Sequence, residues 1–272
     1  MSLRYLHDLP AELAVSIVEF AAGHSALQLL LVSSTIHKAV LPVLYHTVHV
    51  TPANYGRLAR CGPTERRYFA MWTRRVIAPT ISPHQAIQLV GLFTSQQLES
   101  VHCTPSVHRA FAHDPLWRPR MLVAHGLHPL RDVCGPQAMP MPYGFTGTHL
   151  FVLTALLPVA ASSTESAPDF THLATSNVTH VVLQPWVPRP KAEDLVSCFA
   201  RDLRALLAQC PNIERILVRL GNPALKRFCN APLLKCALAD LGREDARLFV
   251  DDGCTSADDL GYLGTRDGIW TL

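Results

Sequence analysis

The chain has no apolar run long enough to cross a bilayer. Its longest, His149 to Ala161, falls short of the ~20 residues that a spanning helix needs and contains Pro158. It also shows no secretory leader. Met1 to Asp8 offers no basic stretch followed by an apolar core and a small-residue cleavage site. These absences point to a soluble intracellular protein, cytoplasmic or nuclear, with no membrane partner. The sequon Asn177-Val178-Thr179 is then silent, because glycosylation needs secretion.

Charge is scarce as well. Charged residues make up 17% of the chain against 49% hydrophobic, which excludes the charge-rich, apolar-poor profile of a disordered protein. A sparsely charged surface suits a partner that covers it. The net charge of +3 does not by itself point to nucleic acid, and no nucleic-acid partner is expected. One local cluster, Arg57, Arg60, Arg66, Arg67, Arg74 and Arg75, could bind phosphate or an acidic partner. The plainer reading is a solvated helical face.

The eight cysteines include no C-x-x-C pair, so in a reducing compartment they read as small buried hydrophobes. Glycine-rich phosphate loops, nucleophile elbows and His-Glu-x-x-His helices are also missing. No catalytic residue and no cofactor are therefore expected. His102, Cys103, His108 and His113 lie close together, but their spacing fits none of the closed zinc patterns. The acidic C-terminus, with Asp251, Asp252, Asp258, Asp259 and Asp267, has no calcium-loop ligand set and reads as turn capping and solvation.

What is present is pattern. With 272 residues the chain can hold one large domain or two smaller ones. Pro10 stands at a favourable first helical position and Glu12 in the first turn, ahead of a helix over about 11–22. Leu13, Ile17, Phe20 and Ala21 make its apolar face, and Gly23 ends it. Ser25 caps a second helix carrying Leu27, Leu30 and Leu31. Ser33-Ser34-Thr35 opens a third, with Ile36, Ala39 and Val40, that stops before Pro42. A β-prone run follows from Leu44 to Thr51, and a boundary near residue 51 divides the chain into 1–50 and 51–272.

Beyond it, strand-like stretches recur at 75–77, 98–102, 150–153, 180–183, 215–218 and 247–250. Helix-like stretches lie at 84–93, 195–209 and 232–241. The strands centred near Val181, Ile216 and Leu248 have the spacing of solenoid repeats, in which stacked units bury what one cannot bury alone. Segments 134–147, 161–169 and 185–190 read as loops, the kind of segment that can carry a recognition surface.

The N-terminal residues resemble an F-box. Leu9-Pro10-Ala11-Glu12-Leu13, then Ile17, then Leu27 to Ser33, then Leu44-Tyr45 follow that family's order and register. Ile36 stands where the family has an aromatic residue, and Tyr45 where it often has a closing Trp. The later helix–strand units resemble the degenerate leucine-rich-repeat-like tails of fungal F-box proteins. The resemblance implies an α/β (α+β) fold: a three-helix F-box-like module followed by irregular leucine-rich-repeat-like units. It implies a substrate-recruiting adaptor of a Skp–cullin–F-box ubiquitin ligase. Leu9, Pro10, Leu13, Ile17, Leu27, Leu30, Leu31 and Val32 would partly form the small core and partly face the Skp-type subunit, while the C-terminal region binds an unknown protein target. One rival is a non-ligase interaction protein using the same helices. Another is an enzyme whose pocket gathers several of His102, His108, His113, Asp251 and Asp252.

Overall fold

A computed structural model describes residues 16–18, 20–21, 28–29, 31–93, 98–114, 116–128, 147–155, 168–186, 195–221 and 231–251. Eight strands form one parallel sheet: β1 (Thr47–His49), β2 (Arg75–Ala78), β3 (Ser100–Cys103), β4 (Met121–His128), β5 (His149–Ala155), β6 (His180–Trp186), β7 (Arg215–Arg219) and β8 (Leu248–Asp251). Their order across the sheet is their order in the chain. The helices are α1 (Ser34–His46), α2 (Tyr55–Ala59), α3 (Pro63–Trp72), α4 (Pro83–Ile87), α5 (Pro105–Phe111), α6 (Thr171–Ala174), α7 (Leu195–Gln209) and α8 (Ala231–Glu244). The fold is thus a mixture of helix and strand.

Register explains the core. Val48, Val76, Val101, Leu122, Leu150, Val181, Ile216 and Leu248 are successive partners across all eight strands. Side chains alternate between the faces of a strand, so this row and the one at Ala78, Cys103, Ala124, Val152, Leu183 and Val218 point the same way. The main core cluster joins these rows, Ala124 apart, to Phe69 of α3, Ala86 of α4, Val107 and Phe111 of α5, Leu173 of α6, Leu203 and Leu206 of α7 and Leu234 and Leu238 of α8. The helices therefore lie on one face of the sheet. A parallel sheet so covered reads as short continuous apolar runs. Among the described residues no helix is long and apolar enough to cross a membrane.

Several helix starts follow from capping chemistry. In α1 the Ser33 hydroxyl accepts from the Ile36 N–H at 3.2 Å. In α4 the Ser82 hydroxyl accepts from the Gln85 N–H at 3.2 Å while the Gln85 side chain accepts from the Ser82 N–H at 2.8 Å. Pro63, Pro83 and Pro105 each open a helix.

The structure corrects the sequence reading in five places. The third helix passes through Pro42 to His46, and the expected strand at 44–51 shrinks to Thr47–His49. The carbonyl that Pro42 leaves without a helical partner belongs to Lys38, which is exposed to water. Leu44 and Tyr45 stay helical because Tyr45 packs on α3, edge-on to Phe69 at 4.9 Å and tilted against Tyr68 at 5.7 Å. Strand β4 and helices α2, α3, α5 and α6 were not expected. The helix at 84–93 is confined to Pro83–Ile87, and the following turn includes Gly91 at φ 80. Pro185 and Trp186 belong to β6 rather than to a loop. Strand β7 pairs with β6 only as far as Leu183, so Pro185 faces one partner strand and its missing N–H breaks no ladder.

Candidate functional site

Two surfaces remain once the helix-covered face is set aside. The first is at the N-terminus. Val18 and Val40 are buried and pack with Leu29, Ile36, Ala39 and Val43 in a small separate cluster. Around it Ile17 is 47% exposed, Phe20 76%, Leu31 89% and Val32 46%. The expected apolar face of the first helix is thus turned outward at Ile17 and Phe20, and it is Val18, outside that face, that points inward. Of the residues singled out for partner binding, Ile17, Leu31 and Val32 are exposed. Leu9, Pro10, Leu13, Leu27 and Leu30 lie outside the described residues. Ile36 packs within the small cluster, and Tyr45 packs on α3.

The second surface is the sheet face turned away from the helices. Its middle row runs His49, Ile77, His102, Val123, Phe151, Val182, Leu217 and Phe249 across the eight strands. Val123, Phe151, Val182 and Leu217 form a second buried cluster, with Met121 against it. Phe249, at the end of the row, is 41% exposed, and the Arg215 guanidinium lies 5.1 Å over its ring.

The row at the strand starts, Thr47, Arg75, Ser100, Met121, His149, His180 and Arg215, is polar apart from Met121. Parallel neighbours sit about 4.8 Å apart. The His149 and His180 rings therefore stack, with centroids 4.6 Å apart and planes 14° from parallel. Each ring is held by the preceding threonine, Nδ1 of His149 at 2.7 Å from the Thr148 hydroxyl and Nδ1 of His180 at 2.8 Å from the Thr179 hydroxyl. Burial, then His180 and Arg120, push His149 down to about 4. Burial also lowers His180, opposed by Glu214 and reinforced by Arg215 and Arg120. Both imidazoles are neutral at pH 7. Arg75 reaches Glu99 at 4.0 Å, and at the far end of the last two strands Arg219 pairs with Asp251 at 3.3 Å.

The arginine cluster is taken up largely in local bonds. Arg60 donates to the Gly56 carbonyl, Arg66 to those of Ala59 and Cys61, and Arg74 to that of Met71. These contacts satisfy carbonyls in and after α2 and at the end of α3.

The residues that suggested metal or enzyme chemistry are dispersed. His102 faces the side of β3 turned away from the helices, whereas Cys103 faces the helices and is buried. His108 is buried in α5, edge-on to Trp117 at 6.1 Å, and burial lowers it to about 3. His113 is exposed beyond that helix. Asp251 stands on β8, five strand spacings from His102, or roughly 24 Å. Asp252 lies outside the described residues. Among the described residues no group of three or more His, Cys, Asp or Glu side chains is placed to hold a metal ion.

The sequence reading passed over the imidazole pair. A signal was present: the dipeptide Thr-His stands at the start of the strand-like runs at 148–153 and 179–183, although its third occurrence, Thr171-His172, opens helix α6. No protein-family model, no curated protein and no solved structure matches the chain.

Proposed function

We propose that the chain is a non-enzymatic adaptor, an F-box-like protein that docks a Skp-type subunit through its N-terminal helices and presents a protein target on its strand region. The observation that carries this reading is the exposure of Ile17, Phe20, Leu31 and Val32 around the Val18–Val40 cluster. A helical module with surplus apolar surface lays it against a partner's groove. The parallel order of one strand per unit, with helices on one face, supports a degenerate leucine-rich-repeat-like tail that would meet the target. The adaptor acts by proximity: it raises the effective concentration of a bound target near a ubiquitin-loaded enzyme.

A pulldown with purified Skp subunit tests the reading, comparing wild type with Leu9→Asp/Pro10→Asp and with Leu31→Asp. Leu31 is almost fully exposed, so its substitution leaves the fold intact. Binding by wild type, lost in both variants, supports the adaptor. No binding by a folded wild type refutes it. The second reading is a non-ligase interaction protein using the same helices. Tyr45 favours it, because this counterpart of the family's closing Trp packs on α3. Recovery of Skp without cullin from cells would distinguish it.

A further inference from the structure

We propose that the exposed surface of α2 and α3, with Arg57, Arg60, Arg66 and Arg67 beside the Tyr68–Trp72 stack, binds the phosphate backbone of a single-stranded nucleic acid. The proposal goes beyond the adaptor reading and does not depend on it.

The net charge of +3 hides a local imbalance. Between Glu19 and Glu99 the sequence carries Lys38 and six arginines but a single carboxylate, Glu65. Arg57 lies on α2 and Arg60 caps its end, while Arg66 and Arg67 follow the first turn of α3, and all four are exposed. Arg60 Nε donates to the Gly56 carbonyl at 2.9 Å, and Arg66 donates to the Cys61 and Ala59 carbonyls at 3.2 and 2.9 Å. Carbonyl partners are neutral, so these bonds fix two guanidiniums in place without cancelling their charge. Glu65 is itself engaged, accepting from the Gly62 N–H at 3.0 Å. Among the described residues none of the four arginines takes part in an ion pair. Guanidiniums held at a surface with one engaged carboxylate match a polymer that carries an anion on every unit, and their planar fork suits phosphate.

Aromatic rings adjoin the arginines. Tyr68 and Trp72, one turn apart on α3, stack with centroids 4.9 Å apart and planes 20° from parallel. Both are half-buried, so each keeps part of its ring at the surface. Tyr45 is tilted against both, at 5.7 and 6.1 Å. Burial raises the Tyr45 hydroxyl and Arg57 opposes that rise, which places this guanidinium beside the aromatic group. Arginines that track a backbone, next to rings on which bases stack, are how single strands are bound without reading sequence. The rings favour a nucleic acid over an acidic peptide, and an unpaired strand over a duplex, whose bases are already stacked on one another.

The test uses the full chain and three fluorescein-labelled probes in anisotropy titrations: a fifteen-nucleotide DNA strand of mixed sequence, the same strand paired with its complement, and a fifteen-residue peptide of alternating Glu and Ser. The single strand should bind more tightly than the duplex or the peptide. Four phosphates neutralised on a single strand give a slope of about −3 in log affinity against log salt, so raising salt from about 50 to about 200 mM should weaken binding about fiftyfold. Arg57→Gln/Arg67→Gln removes two of the four charges and spares the arginines that hold carbonyls. In that variant the same salt step should weaken binding only about sevenfold, while Arg57→Lys/Arg67→Lys keeps the wild-type dependence. Absence of single-strand binding, duplex or peptide bound as tightly, or an unchanged salt dependence in the Gln variant overturns the proposal.

Discussion

The imidazoles of His149 and His180 stack 4.6 Å apart on adjacent parallel strands, each tethered by the hydroxyl of the threonine before it. The arrangement disfavours charging both rings at once, because two imidazoliums at that separation repel. Partial burial and Arg120 act in the same direction.

Stability should fall on mild acidification. His149 titrates near 6.5 when unfolded but is held down to about 4 when folded. The unfolded chain therefore binds more protons in that interval, and stability falls as pH drops from about 6.5 towards about 4. Thermal unfolding midpoints across this range should decline less in His149→Asn than in wild type. An identical decline would show that the stack does not hold the ring neutral.

Asn212 should not tolerate aspartate. Its side-chain Nδ2 lies 3.1 Å from the Leu173 carbonyl, 3.3 Å from that of Ser176 and 2.9 Å from that of Val178. Three acceptors around one nitrogen fix the amide orientation. Asn212→Asp replaces that donor with an anion and should cost about 3 kcal/mol or more, against about 1–2 kcal/mol for Asn212→Ala. Urea unfolding of the two variants checks the order.

Arg247 ties the end of α7 to the start of β8. It donates to the carbonyls of Leu207, Cys210 and Ile213 at 2.7–3.3 Å, and Asp245 holds its guanidinium. Arg247→Ala should lose about 2–3 kcal/mol, and Arg247→Lys most of that, because a point charge cannot reach three carbonyls. Equal stability of the Lys variant would show that charge, not the fork, matters.

Alkylation should sort the described cysteines. Cys103 and Cys210 are buried, and burial raises both thiols, Cys210 to about 11. Cys236 is exposed on α8. Brief iodoacetamide treatment followed by peptide mass spectrometry should label Cys236 first, and Cys103 and Cys210 only after denaturation. Early labelling of Cys103 would show that the core opens locally.

The expected strands at 75–77, 150–153, 180–183, 215–218 and 247–250 were legible because each holds a short apolar or β-branched run, the signature of a strand covered on at least one face, whereas the run expected at 98–102 is shifted to Ser100–Cys103. Helix α7 was legible because Leu195, Phe199, Leu203 and Leu206 recur at helical spacing over fifteen residues. Strand β4 was hidden by His125 and Gly126 in its second half, and α3 by an arginine-rich sequence with a single buried residue, Phe69. Proline at the first position of α3 and α5 was the local signal that could have found both. Of the candidate site, the apolar N-terminal residues were legible as residues but not as surface. Helical spacing alone does not say that Val18 turns inward while Ile17 and Phe20 turn outward. The imidazole stack depends on register between strands 31 residues apart, which no single window contains.

Because strand order follows chain order, each new strand completes its pairing with one already made. During synthesis a ribosome would release the sheet edge first, and no early segment would wait for a late one to close a ladder. At each stage the growing edge is covered by the next few dozen residues to emerge.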